Sequence, residues 1–216
     1  MIKFHPNKQM LKAFSAGELP LSLSIAISAH IELCGECAAK SAEIEAQLSD
    51  DIWQDEQLED ANFGDMLQSI MSQTPAKQVK VSSKSKNITH IGGKDYSLPT
   101  AFRQFKDLKW SGFGPVSRAR VISDEQNVRA SLLHISAKGQ IPEHHHKGYE
   151  LTLLLDGSFQ DEMGTYQKGD FIWIDGELNH SPYTDKGCLC FAVQNAPLHF
   201  VRGMSKVLNP LGNLIY

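Results

Sequence analysis

Hydrophobic periodicity changes once along this 216-residue chain, and the change falls in a stretch too polar for a core. From Pro6 to Ile70 the apolar residues recur at steps of three and four, the spacing of one helix face. Pro6 reads as a helix-starting proline, followed by Leu11, Phe14 and Ala16 and closed by Gly17. Leu19, Leu23, Ala26, Ile27 and His30 mark a second helix, Ala38, Ala42, Glu45 and Leu48 a third, and Phe63, Leu67 and Ile70 a fourth. From Tyr96 onward the pattern alternates in short runs: Arg118 to Ile122, Val128 to Ile135, Tyr149 to Leu155, Asp170 to Ile174 and Cys188 to Val193. Turn pairs such as Lys138–Gly139, Asp156–Gly157, Lys168–Gly169 and Asp175–Gly176 separate them, which predicts an all-β barrel or sandwich. Between the two textures, residues 74–95 are rich in Ser, Lys and Gly and read as a linker. The expectation is a two-domain chain: a small all-α helical bundle over 1–73, a linker over 74–95 and an all-β domain over 96–216, the two pieces folding separately. A bundle of about 70 residues has a thin core, the size at which a metal staple is often needed.

Charge follows the same division. Residues 1–73 carry four basic and twelve acidic side chains, a balance of −8; residues 74–95 balance to +4, and the rest is neutral. The net −4 argues against a general nucleic-acid binder, and the acidic surplus of 1–73 is either a solvated helical face or a surface that could oppose a basic partner. Four cysteines are too few for a disulfide scaffold. No apolar run approaches the roughly 20 residues of a membrane helix, and Met1 to Leu11 lacks a signal-peptide core. A cytoplasmic protein with reduced thiols is expected.

Two constellations carry chemistry. The first is His30-x3-Cys34-x2-Cys37, with His5 upstream. Positions i, i+4 and i+7 share a helix face, and a break at Gly35 would still leave the cysteines on adjacent turns. With His5 folding across the bundle, the set is the Cys2His2 donor group of structural zinc. The other reading is a CxxC redox pair with incidental histidines; it has no thioredoxin-like strand before it.

The second is His144-x-His146-x3-Glu150, followed by His180. On a strand His144 and His146 share a face and His145 points away. Three imidazoles and a carboxylate suit a divalent transition metal, whereas the bland reading is a solvated histidine-rich loop. Cys188 and Cys190 also share a strand face and could look into the barrel near that metal, as small buried hydrophobes or as redox-responsive thiols. Their spacing disfavours a mutual disulfide. His90, His134 and His199 match no motif and are read as non-ligands.

The His144/His146/Glu150 and Gly169…His180 segments resemble the two cupin motifs, with Asp175–Gly176 where the second usually has a proline. The His5…His30-x3-Cys34-x2-Cys37 segment resembles the zinc-binding anti-sigma domain. In this order they resemble the ChrR family of anti-sigma factors over nearly the whole chain except the linker. The resemblance implies a cytoplasmic bacterial protein that sequesters an extracytoplasmic-function (group IV) sigma factor, represses its transcription, and releases it under singlet oxygen or organic hydroperoxide stress. It implies Zn2+ on His5, His30, Cys34 and Cys37 and a divalent metal, zinc first among the candidates, on His144, His146, Glu150 and His180. It implies no enzymatic activity, no direct DNA binding and no membrane association. The alternative is a metal-dependent cupin dioxygenase or isomerase with an accessory zinc domain, using the same four barrel residues with a coordination position left open.

Overall fold

The computed structural model describes residues 1–55, 63–73, 87–105, 107–125, 127–176 and 178–201. Four helices come first, as the periodicity predicts: α1 (Lys8–Ser15), α2 (Leu21–Leu33), α3 (Gly35–Asp55) and α4 (Gly64–Ser72). The first begins after Pro6 rather than at it. Asn7 is the N-cap, its Oδ1 accepting the Met10 amide at 2.9 Å. Helix α2 has no polar stripe because its middle is covered on two flanks: Ile25, Ala26, Ile27, Ala29 and His30 are all buried. It packs between α1 and α3 on one flank and β4, β5, β10 and a 3-10 turn (Thr100–Phe102) on the other.

The chain bends by 118° between α2 and α3. The break falls on Cys34, which is extended at φ −124° and ψ 101°, one residue before the glycine. The inward stripe of α3 is Cys37, Ser41, Ile44 and Leu48, not Ala38, Ala42, Glu45 and Leu48. Turning the Cys37 thiol inward rotates the helix by about one position and leaves Ala42 and Glu45 in solvent. On α4 the apolar residues Met66, Leu67, Ile70 and Met71, and Phe63 before it, are exposed and add nothing to the core.

A hairpin of β1 (Ile88–Ile91) and β2 (Lys94–Ser97) lies partly inside the segment that reads as linker; residues 74–86 are outside the described residues. Then come β3 (Trp110–Phe113), β4 (Val116–Glu125), β5 (Val128–Ile135), β6 (His144–His146), β7 (Tyr149–Asp161), β8 (Gly164–Gln167), β9 (Phe171–Asp175), β10 (Cys188–Gln194) and β11 (Leu198–Phe200). The main antiparallel sheet runs β3-β4-β5-β10-β7-β8, β9 also pairs with β7, and β6 pairs with β11.

Strand β10 is buried on both faces, and alternation explains how. Cys188 and Cys190 look into the barrel with Ile135, Leu154, Phe159 and Ile174. Leu189, Phe191 and Val193 look outward, into a core shared with Leu11, Ile25 and Ile27 of the helices. The two textures are therefore not two separate packages: helices α1–α3 complete their core only against the outer face of the sheet.

Backbone amides and carboxylates tie the halves together. Helix α2 has Pro20 at its N-cap and no side-chain cap of its own. Glu125, at the end of β4, supplies it, accepting Leu21 N at 2.5 Å and Ser22 N at 2.9 Å. In return Glu32 of α2 accepts Thr100 N at 2.7 Å. Ahead of α1, residues 1–5 form a strap across the β8–β9 turn. Lys3 N and Phe4 N both donate to Asp170 Oδ1, at 2.7 and 3.2 Å, and Phe171 N donates to the Phe4 carbonyl at 3.0 Å.

Two candidate metal centres

The α2–α3 corner presents His30, Cys34 and Cys37, and the strap brings His5 over them. One donor atom from each lies within 4.8 Å of all the others. His5 Nδ1 stands 3.5 Å from Cys34 Sγ and 3.3 Å from Cys37 Sγ. A tetrahedron with Zn–N of about 2.0–2.1 Å and Zn–S of about 2.3 Å has N···S edges of roughly 3.6 Å, so the spacing fits. His30 gives the clearest sign of fit. Its Nδ1 can only donate to the Gly169 carbonyl, 2.8 Å away, so Nε2 carries a lone pair; that atom is buried with no hydrogen-bond partner. Burial lowers the His30 pKa to about 4, leaving the neutral, ligating imidazole. Burial and the neighbouring Cys34 push the Cys37 thiol up to about 12. A divalent cation would stabilise the thiolate there. Glu36 Oε2 approaches His5 Nε2 to 4.0 Å from the outside.

The second cluster sits inside the barrel. The β6 alternation turns His144 and His146 inward and leaves His145 beside His199, rings 5.2 Å apart. His180 is held opposite His144 by two backbone hydrogen bonds, at 3.1 and 3.0 Å, which bring the rings to 4.4 Å. Glu150 enters from the start of β7. All four are buried, with donor atoms again within 4.8 Å. His144 Nδ1 donates to the Pro142 carbonyl at 2.8 Å, which leaves Nε2 for the cluster. Glu150 Oε2 lies 3.1 Å from His146 Nε2 and 3.4 Å from His180 Nε2, yet neither nitrogen has a hydrogen bond. The lone pairs converge on a common point rather than on one another, near the roughly 3.3 Å edges of a tetrahedron of N and O ligands.

Burial, then the His180 charge, lowers the His144 pKa to about 4. Burial raises that of Glu150, but the imidazoles of His146, His180 and His144 outweigh it and hold the carboxyl below its ordinary value. Burial lowers that of His180, and Asp161 and Glu150 more than reverse this.

Two supporting residues have no signature in the sequence. Asp161 takes the Met163 and Gly164 amides on Oδ1 and presents Oδ2 to His180 Nδ1 at 3.5 Å. Gln194 Nε2 donates to Glu150 Oε1 at 2.8 Å. Each fixes a cluster residue from behind, and each comes from a distant part of the sheet. Cys190 lines the cavity that holds His144, Glu150, Asp161 and His180. Its thiol is raised well above the ordinary value by its hydrogen bond with Cys188 and by burial. Both cysteines are free. His90 pairs with Asp95 on the surface, His134 packs against Tyr96, and with His199 they belong to neither cluster.

Residues 99–198 match the ChrR cupin-like domain family. Over 97% of its length the chain is 29% identical to the anti-sigma-E factor ChrR of Cereibacter sphaeroides, covering 97% of that protein. The crystal structure of Rhodobacter sphaeroides SigE in complex with the anti-sigma ChrR contains a chain that superposes with a TM-score of 0.67 at 25% identity. The match covers 90% of this chain and 99% of that one.

Proposed function

We propose that this protein is an anti-sigma factor, because residues 99–198 match the ChrR cupin-like domain family and 97% of the chain aligns with ChrR. It sequesters an extracytoplasmic-function sigma factor in the cytoplasm and represses transcription without enzymatic activity. The observation that carries the reading is the match to an anti-sigma factor over 97% of the chain, in a protein that also presents two four-donor clusters. The exposed apolar residues of α4 and the net −8 of residues 1–73 give a basic, partly apolar partner something to bind. His5, His30, Cys34 and Cys37 hold Zn2+ as a structural staple. His144, His146, Glu150 and His180 hold a divalent metal, zinc first among the candidates, which would supply a polarising centre in the barrel. The barrel senses singlet oxygen or organic hydroperoxide, with Cys188 and Cys190 as secondary reactive groups.

The test is co-purification followed by transcription in vitro. The full chain is expected to capture a basic sigma factor of about 20 kDa and to silence its promoter. A folded, metal-loaded chain that captures none would return the barrel to the dioxygenase or isomerase reading.

A further inference from the structure

The four N-terminal donors do not stand on the helices alone. His30 is oriented by the carbonyl of Gly169, and His5 follows directly on Phe4, whose amide and carbonyl are both bonded to the β8–β9 turn. The bonding group is Asp170. Its carboxylate is wholly buried, takes two strap amides on Oδ1, and closes its own turn by accepting Gln167 N at 2.8 Å on Oδ2. The Gln167 side chain also donates to the Met1 carbonyl, and the Phe4 ring rests 5.1 Å from that of Tyr166. Gly169 itself is at φ +94°, and a Cβ there would come within 2.5 Å of Ile2 Cδ1, so the turn and the strap are fitted to each other. Both histidines of the cluster thus take their positions from two consecutive residues of the barrel, more than 130 positions away in the chain.

We infer that Gly169 and Asp170 are positioning residues of the N-terminal centre, Gly169 setting His30 and Asp170 setting His5 through the strap, so that its hold on zinc depends on the β8–β9 turn. The inference rests on the zinc reading above and adds a barrel contribution to it. Metal ligands fixed from behind commonly lose about 10–100-fold in affinity when that support is removed. Here the support is a backbone tether, so disturbance of the turn reaches zinc with no contact between the two metal clusters.

Two full-length variants test this. Asp170→Ala removes the acceptor. Lys3→Pro removes the amide that donates at 2.7 Å and leaves the barrel sequence untouched. Zinc affinity, read by competition with a chromogenic chelator, should fall about 10–100-fold in both. In cobalt-substituted protein, Lys3→Pro should shift the visible spectrum toward that of His5→Ala, which a merely destabilised barrel would not do. If Asp170→Ala does not fold, Lys3→Pro decides alone. Wild-type affinity and spectrum in Lys3→Pro would overturn the inference and leave the zinc reading standing. A wild-type chain that retains no zinc at its N-terminal cluster would overturn the reading itself, and the inference with it.

Discussion

Single side chains divide into those whose spacing announces them and those whose role depends on a distant backbone. His30-x3-Cys34-x2-Cys37 and His144-x-His146-x3-Glu150 belong to the first kind, because donors that share one face leave a helical or strand period in the sequence. Asp161, Asp170 and Gln194 belong to the second; each partners a group that only the tertiary fold brings near, and no local pattern records it. For the N-terminal cluster, zinc in such sites contributes on the order of 10–16 kcal/mol of apparent binding energy. Cys34→Ser or Cys37→Ser is expected to lose zinc, helicity and sigma binding together; full helicity after chelation, seen by circular dichroism, would end the structural role. For the barrel cluster, a chain carrying His144→Ala and His146→Ala should still repress its sigma factor but no longer release it under singlet oxygen. A reporter fusion reads this directly, and normal release would move the trigger to Cys34 and Cys37.

Among the elements, α2 and α4 are the pair whose sequences mislead in opposite ways. Helix α2 reads as one member of a bundle, and its lack of a polar stripe is explained only by the sheet against its second flank. Helix α4 reads as the fourth member, and its apolar residues remain in solvent. Leu67→Glu with Ile70→Glu should therefore leave the melting temperature within a degree or two of wild type. It should weaken sigma binding at least tenfold by titration calorimetry, provided α4 is part of the docking surface. The Glu125 clamp on α2 predicts a pH effect. Burial raises the Glu125 pKa, but the Ser22 side chain and the Ser22 and Leu21 amides outweigh this and depress it. A depressed carboxylate contributes stability above its unfolded value, near pH 4.3, and loses it as pH falls through the lower folded value. Glu125→Ala should cost about 1 kcal/mol at neutral pH, the worth of a helix cap, and the gap to wild type should close in acid melts.

The described residues are held by two cores, one inside the barrel and one between the helices and the outer face of the sheet, and by hydrogen bonds that span most of the chain. Acidic residues on the helical half face solvent at Glu36, Glu43, Glu45, Asp50 and Asp51, so the sigma factor's approach should be steered. Its association rate should fall several-fold between about 0.05 and 0.5 M salt in stopped-flow mixing, since the screening length shrinks below 10 Å over that range. The strap has a consequence for how the protein is made. His5 is synthesised 165 positions ahead of its anchor, Asp170. At about 5–20 residues per second, roughly ten to thirty seconds separate the two. Through that interval a nascent chain already has Cys34 and Cys37 but no seat for either histidine, so the proposed N-terminal centre would be begun first and closed last, once translation has delivered most of the barrel.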